Sequence, residues 1–88
     1  MEILKRATAG TMESSDAYVE IEPAQNGLTI ALDSVVKGQF GESIDRTIRE
    51  VLAEQGVENA NVRIIDRGAL ECVLRARVET AVLRGKGE

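Results

Sequence analysis

LTIALDSVVKGQFGESIDRTIREVL, running from Leu28 to Leu52, is the stretch on which the fold turns. Its first residues alternate. Leu28, Ile30 and Leu32 point one way and Thr29, Ala31 and Asp33 the other, the period of a half-buried strand. From Val36 the period becomes that of a helix. Val36, Phe40, Ile44, Ile48 and Leu52 fall four apart with Val51 beside them, which predicts one apolar helix face over residues 35–55. Asp33 or Ser34 is the expected N-cap, and Gly56 the residue that ends the helix in the left-handed conformation. Glu42–Arg46 and Asp45–Arg49 stand i,i+4 on the outer face, each pair worth about 0.3 kcal/mol. Gly38 and Gly41 each cost about 1 kcal/mol relative to Ala, so the first turns are weak.

Upstream, residues 17–22 alternate again, with Val19 and Ile21 opposed to Tyr18, Glu20 and Glu22. Pro23 stops the run, and Asn26-Gly27 is a hairpin signal. Residues 3–10 read as a weaker edge strand and residues 10–16 as a polar turn. Three strands and two turns predict a meander. Downstream, residues 57–65 form a fourth strand, and Asp66-Arg67-Gly68 turns the chain. Leu70, Val73, Leu74, Val78, Ala81 and Val82 then mark a second amphipathic helix reaching about Arg84, followed by a short polar tail. The order β-β-β-α-β-α predicts an α+β fold: a small, mainly antiparallel sheet of about four strands with two helices on one face, a single domain over residues 1–88.

Composition narrows the function. The chain has 88 residues, 43% apolar and 30% charged, enough for one modest core. No apolar run approaches the ~20 residues of a membrane span, and the N-terminal residues lack a secretory apolar stretch. The net charge of −4, with Tyr18 and Phe40 as the only aromatics, argues against a nucleic-acid surface. With no His and one Cys, zinc and imidazole-based catalysis are excluded, and an internal disulfide is impossible. This favours an acidic binding or carrier module of a reducing cytoplasm over an enzyme, with no catalytic residues and no metal.

Few residues can carry chemistry. Cys72 reads as a small, buried or half-buried hydrophobe at the edge of the second helix's apolar face. Arg75 and Arg77 lie on opposite sides of that helix, with Glu71 and Glu79 in pairing range of Arg75. They read as a solvated face or a docking face for partner subunits. Ser34, within Asp33-Ser34-Val35, superficially resembles the attachment site of phosphopantetheine carriers, but those are all-helical and this serine follows a strand. It reads as a helix cap. The polar loop Gly10-Thr11-Met12-Glu13-Ser14-Ser15-Asp16 favours turns. It holds no group that activates a nucleophile, but it exposes a primary hydroxyl between two acids.

Three blocks carry a resemblance: Ala9-Gly10-Thr11-Met12-Glu13-Ser14-Ser15-Asp16, then Gln39-Phe40-Gly41, then residues 68–79 from Gly68-Ala69-Leu70 to Val78-Glu79. In order and spacing they resemble the acyl carrier (gamma) subunits of citrate lyase, with the malonate decarboxylase carrier subunit a more distant likeness. The resemblance implies a covalent 2′-(5″-phosphoribosyl)-3′-dephospho-coenzyme A, joined by a phosphodiester to a serine. Members usually have Gly-Asp after that serine. Matching Asp16 to that Asp implies attachment at Ser14, with Ser15 standing where the family has glycine and so the less favoured hydroxyl. It also implies a loop that turns differently here. The implied function is carriage of acetyl and citryl thioesters between a transferase (alpha) and a lyase (beta) subunit, as citrate is cleaved to acetate and oxaloacetate. An attachment enzyme loads the arm, and Glu13 and Asp16 are candidates for its recognition. The alternatives are a carrier for a related citramalate lyase or malonate decarboxylase, and an unmodified protein-binding adaptor.

Overall fold

The computed structural model describes residues 2–87; Met1 and Glu88, the ends of the expected domain and tail, lie outside the described residues. Six elements follow the expected order: β1 (Ala7–Gly10), β2 (Ala17–Pro23), β3 (Leu28–Ser34), α1 (Lys37–Glu54), β4 (Ala60–Asp66) and α2 (Glu71–Gly85). The mainly antiparallel sheet of four strands carries both helices on one face. α2 lies over β1 and β2, and α1 packs against α2 and β3.

The strands do not form a meander. Their order is β1-β2-β4-β3, with β1–β2 and β2–β4 antiparallel and β3–β4 parallel. The reason lies in β4. Val62 and Ile64 are buried on the helix side and Ile65 on the other face, and β4 takes the interior of the sheet, where both of its backbone edges are paired. β3 is only half-buried at alternate positions and takes the rim. Residues 24–27 therefore cross the end of β4, roughly 10 Å or two strand spacings. Gly27 is held there by β4's own flank. Its N–H donates to Asn59 Oδ1 at 2.7 Å, and its carbonyl accepts from Ala60 N at 3.1 Å.

Val19, Ile21, Ile48, Leu52, Ile64, Val78 and Val82 are at most 1% exposed. Each contributes about 2 kcal/mol by leaving water. Gly85, in the last turn of α2, packs against Ile3 and Ile21, and its carbonyl accepts from Leu4 N and Lys5 N at 2.9 and 3.1 Å. The uncovered sheet face is polar. There Tyr18 Oη and Arg6 Nη2 both donate to Glu20 Oε1 at 2.9 Å, with Arg63 3.6 Å from the other oxygen. No helix among the described residues is long and apolar enough to cross a membrane.

Both helices depart from expectation at their starts. α1 begins at Lys37, two residues late, and no side chain caps it. Ser34 Oγ instead accepts from Val36 N at 3.1 Å and donates to Asp66 Oδ2 at 2.8 Å, so it ties the end of β3 to β4. Phe40 is 52% exposed and Leu70 70%, and Cys72 is exposed rather than half-buried. The pattern is common to both helices: the buried residues of α2 start only at Leu74 and those of α1 only at Thr47, so the first turns of each lie outside the core. Gly56 ends α1 with φ +71°, as expected, and of the two surface pairs Asp45–Arg49 is formed at 2.8 Å. Arg75 reaches the expected Glu71 on its own helix at 3.7 Å, and in place of the expected Glu79 it bonds Glu50 at 2.7 Å and Glu54 at 3.4 Å, two staples to α1.

Candidate functional site

The polar loop joins β1 to β2 and turns tightly at both ends. Gly10 closes β1 at φ +86°, and a side chain there would run into the carbonyl oxygen of Ala17 and the side chain of Arg77. Only glycine fits both constraints. At the tip, Asp16 N donates to Glu13 O at 3.1 Å, closing a four-residue turn with Ser14 and Ser15 in the middle. Ser15 takes φ +66°, the one non-glycine positive φ among the described residues. It stands at the third position, where a type II turn requires positive φ. The serine thus adopts the left-handed conformation that a glycine would enter cheaply.

Asp16 is the clamp. Its Oδ1 accepts from Ala17 N at 2.7 Å and Arg77 Nε at 2.9 Å; its Oδ2 accepts from Thr11 Oγ1 at 2.7 Å and Arg77 Nη2 at 3.1 Å. The bidentate guanidinium, then the Thr11 hydroxyl and the Ala17 N–H, hold this carboxyl well below the usual carboxylate range. Thr11 Oγ1 in turn accepts from Glu13 N at 3.2 Å. Two backbone bonds fasten the loop to the turn after β4: Ser15 N to Arg67 O at 2.8 Å and Arg67 N to Asp16 O at 2.9 Å. Glu13, Ser14 and Ser15 face solvent, and Arg67 is exposed beside them.

The four residues picked out in the sequence therefore differ in what they can do. Ser14 presents a hydroxyl at the tip of a fixed loop. Ser15 shapes the turn. Glu13 is free to meet another molecule. Asp16 is committed to holding the loop. Arg77, unassigned beyond a charged helix face, is the missed member. Its guanidinium is 61 residues from its partner, so no local spacing reveals the pair. The available signal was its place beside Leu74 and Val78 on the buried edge of α2. Among the described residues no group of three His, Cys, Asp or Glu side chains is placed to hold a metal. The arrangement can present a modifiable hydroxyl.

The comparisons agree with a carrier. The family model described as ACP, malonate decarboxylase delta subunit (MdcD), matches residues 4–85. The citrate lyase acyl carrier protein of Escherichia fergusonii is 59% identical over 85 residues, covering 96% of this chain and 88% of that protein. That of Klebsiella pneumoniae is 56% identical over the same span and coverage. A chain in the crystal structure of a Pseudomonas malonate decarboxylase hetero-tetramer in complex with malonate superposes with a TM-score of 0.82 at 27% identity, covering 96% of this chain and 87% of that one. The exposed serine on a clamped loop, the α+β fold and these relatives together make the chain a member of the citrate lyase acyl carrier protein family, a non-catalytic carrier related to the malonate decarboxylase delta subunit.

Proposed function

We propose that residues 1–88 act as one cytoplasmic carrier domain of a citrate-cleaving complex, with Ser14 joined through a phosphodiester to 2′-(5″-phosphoribosyl)-3′-dephospho-coenzyme A. When bound, that group supplies a terminal thiol on which an acetyl or citryl group is held as a thioester. The chain's residues supply position. Arg77, Asp16 and Thr11 fix the loop, Ser14 is left exposed for esterification, and Arg67, exposed and bonded through its backbone to Ser15 and Asp16, supplies a positive charge next to the loop. A tethered thioester reaches an alpha transferase and a beta lyase subunit at millimolar effective concentration. The observation that carries this reading is an exposed serine at the tip of a loop that the Asp16–Arg77 pair fastens to α2.

Glu13 is the side chain offered to the attachment enzyme, and Asp16 acts on loading through the shape of the loop. Glu13→Gln is expected to slow loading of folded protein; an unchanged rate removes the recognition role. Intact mass and peptide mapping after co-production with an active attachment enzyme test the whole reading. The expected result is an adduct on the Ser14 peptide that is absent in Ser14→Ala. An adduct on Ser15 moves the site by one residue, and no adduct overturns the reading in favour of an unmodified adaptor. The malonate decarboxylase likeness supports a second reading, carriage for a related decarboxylase. Transfer assays with each partner enzyme separate the two.

A further inference from the structure

A groove of about 280 Å³ opens at the same end of the sheet as the serine loop. Val36, Phe40, Ile44, Ala69 and Leu74 give it apolar walls, and Asp66 stands in its lining. The first turns of both helices border it through Phe40, half exposed and without a place in the core, and Glu71. Asp66 is 2% exposed and accepts two hydrogen bonds, from Ser34 Oγ and Ala69 N at 2.8 and 3.0 Å. A carboxylate has about four acceptor positions, so acceptor capacity remains.

The groove lies within easy reach of Ser14. Ser15 N is bonded to Arg67 O, and Gly68, the next residue, lines the groove. Two peptide units and one hydrogen bond separate Ser14 from Gly68, on the order of 8 Å at most. An extended arm on Ser14 spans that distance easily. Chemistry then selects which part enters. Asp66 and Glu71 line the groove and oppose phosphate, while the apolar walls and the spare acceptor suit an uncharged chain bearing amide N–H groups.

We propose that this groove receives the uncharged, acyl-bearing end of the arm carried on Ser14, sheltering an acetyl thioester between encounters with the partner enzymes. The proposal rests on the attachment reading above. A weak site suffices, because a tether supplies roughly millimolar local concentration; a groove of millimolar affinity is then about half-filled, which slows attack on the thioester about twofold.

The test uses the full chain in three forms: bare, thiol-armed and acetyl-armed, with loading at Ser14 first verified by mass. Methyl and amide NMR shifts are expected at Val36, Ile44, Ala69 and Leu74 in the acetyl-armed form, beyond those of the loop. Hydroxylamine cleavage of the thioester is expected to be about twofold faster in Phe40→Ser and in Ala69→Leu, which fills the groove. Phe40 is half exposed, so its variant keeps the core intact, and the shifts on the unmutated chain need no variant at all. Absence of the adduct overturns the attachment reading and this proposal with it. A verified adduct whose shifts stay within residues 11–17, with cleavage unchanged in both variants, overturns the groove alone.

Discussion

Val19 and Ile21 on β2 are fully buried beneath α2, whereas Leu28, Ile30 and Leu32, set on β3 with the same alternation, stay half-buried beneath α1. Nothing in the strands' patterns separates them. The difference comes from what covers them. α2 brings Leu74, Val78, Ala81 and Val82 onto β1 and β2 and ends in a glycine that lets Ile3 and Ile21 close in. α1 starts late, uncapped, with Gly38 and Gly41 in its first turns and Phe40 turned outward. The tightly packed side carries the serine loop, through Arg77 on α2 and Gly10 on β1. The loosely packed side leaves the groove.

The largest expected effect tests this contrast directly. Ile21→Ala is expected to cost about 4 kcal/mol, because the neighbours of a fully enclosed side chain collapse little into the space. Leu32→Ala on β3 is expected to cost about 2 kcal/mol, since its side chain is only partly buried at the margin of the core. Urea midpoints at unchanged slope give both numbers. Equal losses would break the comparison.

Gly10→Ala comes next, at about 3 kcal/mol, combining a positive φ with a collision against the Ala17 carbonyl. It is expected to move the loop as well as weaken the fold, so Ser14 loading falls even at temperatures where the circular dichroism spectrum is native. Loading at the wild-type rate in folded protein would separate the loop's position from the strand that ends in it.

Asp16→Asn is expected to cost roughly 2 kcal/mol at pH 7, by loss of a charge-assisted bidentate pair. The sign with pH follows from the lowered pKa. A carboxyl depressed on folding contributes fully above its unfolded value near 4, and that contribution fades as pH falls toward the folded value. Stability of the parent protein should therefore drop below about pH 4 by more than that of Asp16→Asn. Parallel curves would mean that Arg77 and Asp16 are paired without consequence.

What the sequence reveals follows the same divide between local and distant. Alternation at Val19 and Ile21 and the four-residue spacing from Ile44 to Leu52 are consequences of local geometry, and both elements stand where the spacing predicts them. The strand order is not local. It depends on β4, sixty residues into the chain, inserting between β2 and β3. The site divides likewise. Ser14's exposure and the turn at Glu13–Asp16 are legible from residue type. The Arg77 clamp, and the meeting of Phe40, Ala69 and Leu74 at one groove, need the fold.

Ser15→Gly gives the smallest effect and the finest test of the loop. Holding an L-residue at φ +66° costs roughly 1–2 kcal/mol, which glycine removes. Glycine also has more freedom to lose on folding, roughly 0.5–1 kcal/mol, which works against the gain. The balance is a stabilisation of about 0.5 kcal/mol, small in a midpoint but visible as stronger amide protection at Ser15's bond to Arg67. Because the substitution also deletes the neighbouring hydroxyl, loading that persists at the parent rate assigns the arm to Ser14 and the strain to the turn. Loading that vanishes assigns the arm to Ser15, and the left-handed residue would then be the attachment point itself.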